Sequence, residues 1–268
     1  IREASGKRVG MGMSFYMVGG ELARTLGPLL VISAVSLWSL EGIFRLSPIG
    51  IGASLVLHFK LKDLDVQRKV SKMSKSGDVR KILRSYRPLF ITLSGFILFQ
   101  SVMKSALTLY LPLYLTSRGA SLWLAGASLA ILQFFGVIGT FMSGIISDRL
   151  SRGTTLLISS IGTITAMGFF LLFHHVVFLA LSGFFIFSTG PVLLALVQDT
   201  DSTMPTVMNG IYMAIGFGVG SAAVFSLGVM GDLIGLEKTY IVSFFVAIGT
   251  IPTALLLPRF VSKKLQNG

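Results

Sequence analysis

Eight apolar runs, each near the length needed to cross a lipid bilayer, alternate along this chain with short polar or Gly/Pro-bearing segments. A hydrocarbon core about 30 Å thick takes ~20 helical residues to cross. The runs are Val9–Trp38, Gly42–Phe59, Leu89–Leu115, Leu122–Ile146, Thr154–Phe173, Val176–Val197, Thr206–Met230 and Thr239–Leu257. Composition agrees: 53% of the residues are hydrophobic, 13% are charged and the mean hydropathy is +0.80, whereas a soluble domain carries about 25% charge. The predicted fold class is therefore all-α, a polytopic membrane protein with eight transmembrane helices. Thirty glycines suit close helix approach. The absence of cysteine excludes disulfide and thiolate chemistry and leaves the redox compartment open.

A net charge of +12 raises the question of nucleic acid, and the placement of the charge answers it. Eight crossings put both ends of the chain on one side, and that side holds eighteen of the 23 Lys and Arg, ten of them between Lys60 and Arg87. The other side holds Arg45, Arg118 and Lys238, while Arg24 and Lys104 lie within spans. Such asymmetry over short loops is the positive-inside pattern. It predicts cytoplasmic termini, a basic cytoplasmic linker and no nucleic-acid partner. Within that linker Lys72–Ser76 spells KMSKS, the ATP-binding loop of class I aminoacyl-tRNA synthetases. That loop works with a His-x-Gly-His signature in a nucleotide-binding sheet, and this chain has neither. The run belongs instead to the tether, followed by the basic stretch DVRKILRSYR, which is expected to lie along the anionic inner leaflet with Ile82, Leu83 and Tyr86 touching lipid.

An internal repeat sets the larger architecture. Gly10–Gly20, GMGMSFYMVGG, has a counterpart 200 residues on in Gly210–Gly220, GIYMAIGFGVG. Each opens a long span, then comes an outer Leu-Glu, at Leu40-Glu41 and Leu236-Glu237, and a last span holding Pro48 or Pro252. Four spans separate the copies. If the second unit has six spans, so should the first, and four are expected upstream of Ile1. The divisions are then 1–59, the last two helices of one half; 60–87, the linker; 88–258, a six-helix second half; and 259–268, a cytoplasmic tail.

Two six-span halves joined by a basic loop resemble the major facilitator superfamily of secondary transporters. GIISDRLSRG, Gly144–Gly153, resembles that superfamily's cytoplasmic signature, and GKRVGMGMSFYMVGGELARTLGP with MPTVMNGIYMAIGFGVG resembles its fosmidomycin-resistance efflux branch. The resemblance implies a twelve-helix transporter, an integral protein of a bacterial inner membrane, monomeric, without cofactor, whose partners are a small solute, protons and the bilayer. It also implies that the turn at Gly144, Asp148, Arg149 and Arg152 is a gate that breaks and re-forms as the halves rock; the alternative is a plain basic anchor and cap. Gly27-Pro28 resembles the exporters' antiporter motif, a helix kink, although Ala23 and Val31-Ile32 depart from the usual glycines.

Charges at membrane depth are costly and face a cavity or a partner. Glu21 and Arg24 fall near the middle of the first span, three residues apart on one helix face. A carboxylate in a low-dielectric cavity holds its proton more tightly through desolvation and less tightly beside a cation, so Glu21 is a candidate coupling residue; the alternative is a structural ion pair. Gln100 and Lys104 lie one turn apart on the third span, with Tyr110 further out. Glu21, Arg24 and Lys104 facing one cavity would favour an anionic or zwitterionic solute, unless Lys104 only neutralises an acid. Gln133, Gly136 and Gly139 form a packing stripe. His174 and His175 are adjacent loop residues that do not share a helix face for a metal, and Asp199 and Asp201 could cap the next helix or meet Arg152. No zinc-protease, Walker or nucleophile-elbow motif occurs. The reading is a proton-coupled exporter of a small drug-like or anionic solute, not an enzyme; a solute importer and a non-transporting receptor or scaffold are the alternatives.

Overall fold

The computed structural model of the chain describes residues 8–61, 76–200 and 205–265. Residues 62–75, which take in half of the linker and all of the KMSKS run but Ser76, and Asp201 lie outside the described residues. Eleven α-helices and no strand occur among those described. In chain order they are α1 Val9–Trp38, a 3-10 segment Leu40–Leu46, α2 Ser47–Leu61, α3 Ser76–Ser85, α4 Arg87–Ser105, a π segment Ala106–Tyr110 and α5 Leu111–Ser117. There follow α6 Leu122–Arg149, α7 Arg152–Phe173, α8 Val176–Gln198, α9 Pro205–Ile234, α10 Leu236–Ala247 and α11 Thr250–Leu265.

Seven helical stretches among the described residues are long and apolar enough to cross a membrane, and these coincide with the second to eighth apolar runs. The first run is one unbroken 30-residue helix with the predicted bounds; it is not among those seven. Boundaries shift elsewhere. α6 extends through Arg149 and α7 starts at Arg152, so Asp148 and Arg149 occupy the last turn of a helix and only Leu150 and Ser151 form the turn. The last span divides at Ile248-Gly249, and α11 continues past the expected start of the tail to Leu265.

The repeat is visible in the local structure. α1 and α9 are each 30 residues long; each is followed by a segment with an acid in its first turn, Glu41 or Glu237. A second helix then starts with proline at its second or third position, Pro48 in α2 and Pro252 in α11, where the missing N–H costs nothing. The packing of the two copies differs. α1 lies on α6 and α8, whereas α9 lies chiefly on α4.

Helix α8 is the central post, packed against α6, α7, α1 and α9, and every residue from Pro191 to Val197 is buried. Its contact with α6 is reciprocal. A Cβ on Gly139 would overlap the Phe184 carbonyl, and one on Gly183 would overlap the Leu132 carbonyl, while Gly136 lies under the Phe187 ring. Pro191 cannot donate to the Phe187 carbonyl one turn back; the Thr140 hydroxyl of α6 donates to it instead, at 3.3 Å. At the far end of the bundle Tyr114 and Tyr240 stack with centroids 4.1 Å apart, and Arg118 bridges the Tyr114 hydroxyl and Glu237, each at 3.1 Å. The Tyr240 hydroxyl donates to the Ala106 carbonyl at 2.5 Å, at the start of the π segment.

The stretch before α4 departs from expectation. Ile82 is only 9% exposed and joins the core, and Tyr86 packs against that core, so of the three residues assigned to lipid only Leu83 is exposed. The apolar side of α3 is narrow, and α4 offers it a protein surface to dock on.

Because Gly183 meets backbone rather than a movable side chain, Gly183→Ala should destabilise the bundle by about 1–3 kcal/mol. Gly126→Ala, with nothing within 4 Å, should be neutral or slightly stabilising. Thermal unfolding of the two variants in detergent compares them directly.

Candidate functional site

A cavity of about 510 Å³ lies within the bundle, walled by α1, α4, α6, α8 and α9. It borders two apolar clusters, taking Ile97, Leu193 and Tyr212 from one and Phe187 from the other. Helical spacing supplies its polar groups: α1 presents Glu21 and Arg24, and α4 presents Gln100, Ser101 and Lys104 from successive turns. Four of the five residues predicted for a cavity are thus brought together. Tyr110 is not: it lies outside the lining, its hydroxyl 3.4 Å from the Val224 carbonyl of α9. The π segment that contains Tyr110 widens the helical turn there, a local irregularity that apolar periodicity does not reveal.

Glu21 is 4% exposed. Arg24 donates to its Oε1 at 3.0 Å, while Oε2 is buried without a hydrogen-bond partner among the described residues. Arg24 itself has a side chain 63% exposed. Across the cavity the Lys104 ammonium stands 4.4 Å from the centroid of the Phe187 ring, a cation–π contact. Lys104 interacts electrostatically with Glu21 and Arg24, yet has no ion pair with any described residue. Gln100 is committed to structure. Its amide donates to the Ile186 carbonyl at 2.9 Å and to the Thr189 hydroxyl, tying α4 to α8. Gln133, read from its stripe as a packing residue, lines the cavity instead, while Gly136 and Gly139 do the packing. An arrangement of two cations, one half-paired carboxylate and an amide can hold an anion and exchange a proton.

The second constellation lies where α6 turns into α7. Asp148 accepts from the backbone N–H groups of Gly10 at 2.9 Å and Met11 at 2.9 Å. These belong to the first turn of α1, whose N–H groups have no partner within the helix and whose N-cap residue, Arg8, offers no side-chain bond. Arg152 donates to Asp148 at 2.6 Å, to the Ser147 hydroxyl at 2.7 Å and to Asp199 at 2.9 Å. Asp148 sits at the C-terminal end of its own helix and Arg152 at the N-terminal start of the next, both unfavourable alone. The charge that Asp148 stabilises is the N-terminus of another helix. Gly144 makes this possible, since a side chain on it would strike Ser14 and the Gly10 backbone.

Arg149 is exposed and has no partner among the described residues. Gly27 meets no described atom within 4 Å of where a Cβ would stand, and α1 runs helically through Gly27 and Pro28. Among the described residues no cluster of His, Asp and Glu could hold a metal; His175 caps the start of α8.

Asp148→Ala and Arg152→Ala should each lower thermal stability by about 1–3 kcal/mol, and the double substitution should cost less than the two together. Additive losses would mean that Asp148 acts only as a cap on α1.

Three known proteins show what the whole chain is similar to. The chain is 26% identical over 267 residues to an uncharacterised MFS-type transporter, YfnC, of Bacillus subtilis, covering 95% of this chain and 64% of that protein. It is 23% identical over 253 residues to the fosmidomycin resistance protein of Escherichia coli, 92% and 62%. It is 28% identical over 285 residues to the probable sulfoacetate transporter SauU of Cupriavidus necator, 96% and 64%. The chain thus spans a little under two thirds of the length of these relatives. The family profile described as Major Facilitator Superfamily matches residues 1–224. With seven membrane-length apolar helices among the described residues and this match, the chain is an integral membrane protein and belongs to the Major Facilitator Superfamily.

Proposed function

We propose that the protein is a secondary active transporter that exports a small drug-like or anionic solute in exchange for protons, and that this chain forms eight of twelve helices in two halves, with cytoplasmic termini. The observation that carries the reading is the state of Glu21: one oxygen held by Arg24, the other buried with no partner among the described residues, beside a cavity that also takes Lys104. A half-satisfied carboxylate in an apolar bundle is costly unless it is used, and gaining or losing a proton is the use open to it. In the mechanism, the solute's anionic group binds at Arg24 and Lys104, Glu21 is protonated when the cavity faces outward, and the proton leaves inward. Asp148 and Arg152 close the inner end in the outward-open phase. Two relatives point the same way by name, one being a fosmidomycin resistance protein and one a probable sulfoacetate transporter; a phosphonate and a sulfonate are both anions.

In proteoliposomes holding the full-length protein, Glu21→Gln should remove solute flux driven by a pH gradient down to background while leaving solute–solute counterflow intact. Flux that retains its full pH dependence would overturn the coupling role. Lys104→Gln should weaken solute binding by roughly 10- to 150-fold, the loss of one charge-assisted contact worth about 1.5–3 kcal/mol. Flux that runs only inward would replace export by import, and no flux or counterflow of any anion tested would favour a receptor.

A further inference from the structure

A groove of about 1180 Å³ opens where α3 meets α4, and the transport mechanism makes no use of it. Its wall is a single stripe that passes from one helix to the next. Arg80, Leu83 and Arg84 stand on one face of α3 at helical spacing; the stripe continues through Arg87 at the start of α4 and then through Phe90 and Ile91 one turn further. Polarity changes along it. Arg80 and Arg84 precede the membrane span, Arg87 opens it, and Phe90 and Ile91 lie within it, while Leu83 stands between the two arginines of α3.

Three observations describe what would fill this groove. The first concerns charge: Arg80, Arg84 and Arg87 have no hydrogen-bond or ion-pair partner among the described residues, and no acidic side chain stands in the first turn of α4. The second concerns apolar surface: Leu83 is 43% exposed and Ile91 60% exposed, while Phe90 is buried behind them at 5%. The third concerns rigidity. α3 does not float on the surface, because Ile82 is locked into the core, so its arginines are held at one distance from α4.

A soluble anion would satisfy the cations and leave Leu83 and Ile91 uncovered. A neutral lipid would do the reverse. A molecule that joins a phosphate to a hydrocarbon chain satisfies both ends of the stripe, and the guanidinium fork matches phosphate oxygens bidentately. We propose that this groove binds one anionic glycerophospholipid, its phosphodiester held by Arg80, Arg84 and Arg87 and an acyl chain laid along Leu83 and Ile91. A lipid so placed bridges α3 to α4. It converts the diffuse attraction of basic residues for an anionic leaflet into a site of defined stoichiometry.

The full-length protein, purified in a neutral detergent, tests this by native mass spectrometry with added phosphatidylglycerol, phosphatidylcholine or inorganic phosphate. The expected result is one retained phosphatidylglycerol per chain in preference to phosphatidylcholine, with affinity falling on the order of tenfold or more in Arg84→Gln/Arg87→Gln, which removes two surface cations worth about 1 kcal/mol each. Arg45→Gln/Lys238→Gln, an equal loss of charge at the other end of the molecule, should bind as the wild type does. Equal weakening in both doubles would reduce the effect to net charge and overturn the site. Phosphate competing as well as the lipid would show a free-anion site and overturn the lipid assignment. Should the arginine double fail to fold, wild-type protein with a phosphatidylglycerol carrying a photoreactive acyl chain gives an independent answer: labelling must map to residues 80–94, and labelling elsewhere refutes the proposal.

Discussion

Helix α6 can touch both of its principal neighbours backbone to backbone only because glycine stands at each crossing. Gly139 and Gly183 admit α8 from both sides of one contact, and Gly144 with Gly10 admits α1. In a bilayer the lipid tails are as apolar as the side chains, so burial alone does not drive helices together, and close packing and hydrogen bonds must. The rest of the structure follows from those distances. At them, Thr140 can reach the carbonyl that Pro191 leaves without a donor, Gln133 turns to the cavity, and Asp148 lands on the first turn of α1.

The same economy explains which polar groups remain available for chemistry. Gln100, Thr189 and Thr140 all sit deep in the bundle, and each is consumed by a hydrogen bond to a carbonyl of α8. Glu21 is treated differently. It is the one ionisable residue among the described residues with a buried oxygen lacking any partner, and the cation across the cavity is held by a ring face rather than by a carboxylate. An uncompensated carboxylate oxygen is far more costly to bury than an amide with its bonds made. The half-partnered carboxylate and the ring-held cation therefore meet at one cavity between two apolar clusters, and there the transport reading finds its proton and its solute.

How far sequence foresaw this depends on the scale of the question. Apolar run length is set by bilayer thickness and so was legible: each of the eight runs contains a helix, and α1 has the predicted bounds. Depth of charge was legible for the same reason, which is why Glu21, Arg24 and Lys104 could be expected to face one cavity. What failed depended on a neighbour. Tyr110 was assigned by position along its span, and a π segment turned it toward α9; Ile82 was assigned to lipid by its apolar character, and α4 took it. The Gly10 and Gly210 motifs share a pattern and yet only Gly10 is closely packed, because a glycine permits an approach without naming the helix that makes it. Asp148 shows the reverse case. Its residue type and place marked it as a cap, but the capped helix lies 137 and 138 residues away in sequence.

Two kinds of contact thus hold α6, and they differ in what it takes to separate them. The contact with α8 is dry and interlocked, with a carbonyl pressed against a glycine from each side, so parting it opens a void and exposes Phe187 and Thr140 to nothing they can bond. The contact with α1 ends in a charge cluster at the rim, where the Asp148, Arg152 and Asp199 side chains are 13%, 16% and 32% exposed. Water can replace each of those hydrogen bonds as it breaks. A transporter that rocks must separate along the boundary whose bonds solvent can take over. On the reading proposed above that boundary runs between α1 and the α6–α8 pair, and it passes through Glu21, so the motion that releases the latch also changes what surrounds the unpartnered oxygen.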